Sequence, residues 1–153
     1  MKINRVFTAL VASFLATPAL AAPVAVDFVG KSTSAGGTFM TGDADGILNL
    51  QSMWEPVEGD GAMAGLHGPC FGAARMAGGV IAGNGYCAFK DAMDQTVLIH
   101  WWMENAKSPA GVWAIVGGTG KWATASGGGL FVDMPGEDAA MNQIHITGMV
   151  VVK

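Results

Sequence analysis

Charge is scarce in this sequence, and positive charge is scarcer. There are eight Lys and Arg against 12 Asp and Glu, with no basic run or stripe. That sets aside nucleic acid and anionic membrane as partners, because both are recognised by clustered cations. Beyond the first 21 residues no stretch holds the about 20 apolar residues that a membrane helix needs. Helical periodicity is also nearly missing. Cysteine is limited to two residues and histidine to three, without C-x-x-C or H-x-H spacing. There is no nucleophile-elbow motif to start a hydrolytic triad. Low charge does not mean disorder here: disordered chains are highly charged and poorly hydrophobic, whereas this one is 13% charged and 51% hydrophobic with five Trp.

What is present begins with an address. Lys2 and Arg5 open the chain, and Val6 to Leu15 is apolar apart from Thr8 and Ser13. Pro18 breaks any helix, and Ala19-Leu20-Ala21 fits small-x-small cleavage. Residues 1–21 therefore read as a signal peptide and 22–153 as a single β domain, periplasmic or secreted. The alternative, a membrane anchor, fails on length. No Cys follows the cleavage site, so a lipid anchor is not indicated and no membrane role is expected once the signal is removed.

Two cysteines in an oxidising compartment favour a disulfide. Gly78-Gly79 is a two-residue hairpin signal, since primed turns need positive φ. Such a turn pairs Ala77 with Val80 and, counting outward, sets Cys70 opposite Cys87, within disulfide reach. A bulge at Gly72, Gly83 or Gly85 would break that register. A redox-active pair is the alternative, and it lacks the spacing that tunes thiols.

Short β-rich segments alternate with Gly-rich turns, the pattern of a sandwich or barrel. Strands are expected at Val24–Val29, Thr38–Thr41, Ile47–Glu55, Ala64–Arg75, Val80–Lys90, Thr96–Glu104, Gly111–Val116, Gly129–Met134 and Asn142–Val152. In the Thr96 strand, Val97, Ile99, Trp101 and Met103 form a core face. Leu98, His100, Trp102 and Glu104 form a mixed face that suits a partly wet cavity or an oligomer contact. Closing such strands into a barrel removes their edges.

The segment Trp113-Ala114-Ile115-Val116-Gly117-Gly118-Thr119-Gly120-Lys121-Trp122-Ala123-Thr124-Ala125 and the glycines after it resemble the signature of allene oxide cyclase-like and dirigent-like small barrels. The resemblance implies an antiparallel, eight-stranded up-and-down barrel with an apolar cavity, assembled as a homodimer or homotrimer. Its members guide small reactive organic molecules by shape. Their active residues do not map onto positions here. The glycines allow a tight turn, and Trp122 would fold back as a plug, followed by a short turn of helix. A phosphate loop is excluded, because Trp122 stands where Ser or Thr is required.

Three readings of function follow. The first is a binder of a small apolar molecule, with Trp102, Leu98 and Trp122 as ligand contacts. The second is a cyclase or isomerase working by cavity shape, with Glu104 and His100 as the acid–base groups. The third is a structural or oligomerising protein with a filled interior. No cofactor and no metal is expected: soft ligands such as His67, Met93 and His145 are scattered, and Met commonly fills cores. Asp43, Asp45, Asp91 and Asp94 read as solvated turn carboxylates, since the Asp43-Ala44-Asp45-Gly46 stretch lacks the frame of a calcium loop.

Overall fold

A computed structural model describes residues 21–107, 110–134 and 141–153. Apart from Ala21, the expected signal peptide lies outside the described residues, as do parts of the turns near 108 and 135. Nine strands are formed: β1 (Val24–Ser34), β2 (Gly37–Met40), β3 (Gly46–Trp54), β4 (Gly68–Ala77), β5 (Val80–Lys90), β6 (Thr96–Ala106), β7 (Ala110–Gly118), β8 (Ser126–Met134) and β9 (Met141–Val151). A short 3₁₀ turn, Gly120–Thr124, separates β7 from β8.

All pairings are antiparallel, and β1 meets both β9 and β3, which closes the sheet. Nine segments nonetheless make an eight-stranded barrel. Pairing with β3 runs from Ser32↔Trp54 and Ser34↔Ser52 in β1 to Gly37↔Asn49 and Met40↔Gly46 in β2 without a change of register. β2 is thus the continuation of β1 past a bend at 35–36, carried beyond the ring as a flange on β3.

The hairpin reading of the cysteines holds. Ala77↔Val80 flanks the turn, Cys70↔Cys87 pair directly, and the two are bonded. No bulge interrupts β4 and β5. Gly78 and Gly79 have φ of 60° and 76°, which a two-residue hairpin turn demands. The tip is also tied to the β2–β3 loop, where the Gly78 amide donates to Asp45 Oδ1 at 2.9 Å.

The expected boundaries of β1 and β4 move furthest, by four residues or more. β1 passes through Gly30 to Ser34 instead of ending at Val29, held by pairing with β9 and β3, and the indole of Trp54 occupies the space where a Cβ on residue 30 would stand. β4 begins at Gly68, not at Ala64. Gly65 and Gly68 take positive φ, and Val57 pairs with Gly65 and Leu66 through backbone hydrogen bonds. The 55–67 segment is therefore a loop folded under the barrel, with Val57, Met63 and Leu66 buried.

The two ends of the barrel differ. At one, where β6 begins and β7 ends, Trp122, Val97 and Val150 are wholly buried and Leu66 almost so. The expected plug is in place: the Trp122 indole donates to Asp91 Oδ2 at 3.1 Å. At the other end, where β1 ends and β9 begins, the interior is open.

Candidate functional site

The open end leads into a cavity of about 410 Å³. Its floor is Trp54, Met63 and Phe89, with the Cys70–Cys87 bridge beside them. Trp54 and Phe89 pack at 5.5 Å between ring centroids. The walls are Trp101, Trp113, Phe131, Ile99, Ile144 and Ile146. Trp101 meets Phe131 edge-on at 6.4 Å, and Trp113 donates its indole N–H to the Thr147 carbonyl at 3.1 Å, so neither the rings nor their polar handle are idle.

Space for these rings comes from glycine. Gly72 and Gly85 face one another across β4 and β5, and the Trp101 indole lies over both. A methyl at either would collide with it. The glycines read as bulge hazards in the sequence are the recess that lets an indole line the interior.

Polar groups gather toward the mouth. Asp133 follows Phe131 inward on β8, stands opposite Ile144 on β9, and Ile144 stands opposite Gly30 on β1. The next inward row carries Asn142 opposite Ser32. Asn142 donates to the Ser34 hydroxyl. Ser32 is 1% exposed, and its hydroxyl has no hydrogen-bond partner among the described residues. Asp133 stays open to solvent through the mouth, yet burial of its carboxyl among protein atoms pushes the acid up to about 6. It is the one ionisable side chain among the described cavity-lining residues.

The residues singled out in the sequence lie elsewhere. Val97, Ile99, Trp101 and Met103 point inward as expected, so the mixed face of β6 is the outer surface. Leu98 is 40% exposed there. His100 stacks between Tyr86, at 4.8 Å, and Trp102, at 5.0 Å. Glu104 is exposed. Trp122 is buried under the closed end, behind the cavity floor. The structure brings His100 and Trp102 together, but none of Leu98, His100, Trp102, Glu104 or Trp122 lines the cavity.

One expectation is corrected outright. Asp91 is not a solvated turn carboxylate: it is 6% exposed and accepts from the Trp122 indole, the Met93 and Gln95 amides and Lys121 Nζ. Burial raises its acid, and these donors more than offset that, holding it near 2. Asp133, Trp101 and Ser32 were missed as site residues. Alternation in 130–134 puts Phe131 and Asp133 on one face, but the other face carries Leu130, Val132 and Met134 and is the more apolar of the two, so the pattern gave no signal that the carboxyl points inward. No group of three or more His, Cys, Asp or Glu gathers as a metal site among the described residues.

Comparison with known proteins yields likeness of fold alone. No family model matches the chain, and no curated protein does. Among solved structures, the pterocarpan synthase dirigent protein PsPTS1 superposes with a TM-score of 0.56 at 11% identity, over 88% of this chain and 97% of that one. The pterocarpan synthase dirigent protein GePTS1 superposes with a TM-score of 0.54 at 13% identity, over 90% and 88%. The dirigent-like barrel implied by the Gly117–Lys121 segment is the fold the chain adopts.

Proposed function

We propose that this barrel takes a small, largely apolar molecule through its open end and holds it in the interior. The observation that carries the reading is the cavity: about 410 Å³, within the roughly 300–1,000 Å³ of ordinary ligand sites, walled by Trp, Phe and Ile, with its one ionisable lining group among the described residues, Asp133, at the mouth. The filled interior of the structural reading, with no pocket above roughly 100 Å³, is not what the described residues form. The leader and the disulfide support a periplasmic or secreted setting. The exposed apolar strip formed by Phe71, Tyr86, Leu98, Val116, Leu130 and Val132 supports assembly as a homodimer or homotrimer.

Native mass spectrometry of protein purified from its own compartment tests the reading directly, with an added small-molecule mass as the expected result. Calorimetry with 1-naphthylmethanol supplies the second arm. Binding is expected in the unaltered protein and lost in Ile146→Trp, which fills the cavity. Equal heat from both proteins, or none from either, removes the interior as the site.

A second reading rests on Asp133. A carboxyl pushed up to about 6 at the mouth of an apolar cavity is poised to give up or take a proton near neutrality. Acid-assisted cyclisation or isomerisation would use Asp133, and not His100 or Glu104 on the outer surface. Asp133→Asn would then abolish turnover of a strained apolar substrate while leaving its binding in place.

A further inference from the structure

The cavity is not uniformly apolar, and its polar groups are of one kind. Around the mouth they are Ser, Thr, Asn and Gln amides and hydroxyls, together with the Asp133 carboxyl; no Lys, Arg or His lines the cavity among the described residues. The strands flanking Asp133 bring it no charge. β9 sets Ile144 opposite it, β7 pairs with β8 through Ala110 and Gly111, and β1 contributes Gly30 and Ser32 beyond β9. The nearest ion pair on β1 and β9, His145 Nε2 with Asp27 Oδ1 at 2.8 Å, is on the outer surface. The Ser32 hydroxyl, on β1 two strands away, also lines the cavity, buried and without a partner among the described residues.

Such an arrangement discriminates by charge. An ionised carboxyl accepts hydrogen bonds and donates none, and one partly desolvated at the mouth of an apolar cavity, with no counter-ion among the described lining residues, favours a cation. A cation entering the mouth relieves that desolvation. A neutral molecule does not, and an anion adds like-charge repulsion on top of desolvation.

Resting on the binding reading above, we propose that the molecule accommodated is a cationic amphiphile: its apolar body lies between Trp101, Trp113 and Phe131, and its protonated amine sits at the mouth against Asp133. The Ser32 hydroxyl and the Asn142 amide oxygen are further acceptors in the cavity lining. Selectivity then comes from one side chain, and the apolar walls supply the rest of the affinity.

Three probes of one shape separate the terms: 1-naphthylmethylamine, 1-naphthylmethanol and 1-naphthoate, titrated calorimetrically at pH 8, above the Asp133 pKa and below that of the amine. The amine is expected to bind at least tenfold more tightly than the alcohol, and the naphthoate more weakly than both. The alcohol should displace the amine competitively, which places both in the interior rather than on the acidic surface. Asp133→Asn should bring amine and alcohol to equal affinity with alcohol binding unchanged, and Asp133→Ser should do the same if the Asn variant folds poorly. Equal affinities in the unaltered protein, or an amine preference that survives both substitutions, overturns the proposal while the cavity reading stands. No binding of any probe overturns both.

Discussion

Asp91 lies at the base of the β5–β6 turn with the Trp122 indole, Lys121 and two backbone amides around its oxygens. Its folded pKa, near 2, is below its ordinary 3.8. The stabilisation it provides is therefore complete above about pH 3.8 and is lost as pH falls toward 2. Asp91→Ala should lower Tm by several degrees at pH 7 and flatten the fall of Tm between pH 4 and 2. Asp94→Asn should behave like the unaltered protein, because Asp94 pairs only with exposed Lys90 and Asn tolerates its φ of 61°. Asp133 has the opposite sign. Its folded pKa, near 6, is above 3.8, so the folded state holds a proton that the unfolded chain has released. Stability should decline as pH rises from about 4 through 6. Asp133→Asn should remove that decline and unfold at a higher temperature than the unaltered protein at pH 8, by differential scanning calorimetry.

At the scale of elements, the β4–β5 hairpin was legible because its turn chemistry and its cysteines report the same register. The bond closes a loop with sequence separation 17. In the chain-entropy account such a loop is worth about 3 kcal/mol, and a Cys70→Ala, Cys87→Ala double variant should lose about that much in urea unfolding. The strand list was readable for a similar reason: Gly, Asn, Asp and Pro punctuate it wherever the chain turns. The start of β4 was not, since Ala64 to Leu66 is as apolar as a strand and only the positive φ of Gly65 and Gly68 bends it away. The role of Gly72 and Gly85 was equally hidden, because space for an indole is a property of two strands and a third ring together. Gly72→Ala should drive Trp101 from its recess and cost about 1–3 kcal/mol. Gly37→Ala, with nothing near its Cβ direction, should be close to neutral. Urea melts of the two variants compare them directly.

For the molecule as a whole, the closed barrel was foreshadowed by the Gly117–Lys121 segment, while the placement of the site was not. Alternation divides a strand into two faces without saying which is inside. On β6 both faces are rich in apolar side chains, and the Leu98–Trp102 side was read as a possible cavity wall when it is the outer surface. That same surface explains the ambiguity: an exterior carrying Leu130 at 57% and Phe71 and Val116 at 54% exposure has the composition of an interior. If copies of the chain cover it, sedimentation equilibrium should return a multiple of the monomer mass. Leu130→Glu should reduce that multiple to one without lowering the monomer's Tm by more than a few degrees.

The capped and open ends also decide how the barrel can be held. β1 enters and β9 leaves beside one another, with Val24 opposite Val150, on the Trp122 side. Immobilisation through Lys153, or a fusion made ahead of Val24, presents the mouth to solution and turns the blind side toward the support, so a sensor chip or a tethered partner would leave entry unobstructed.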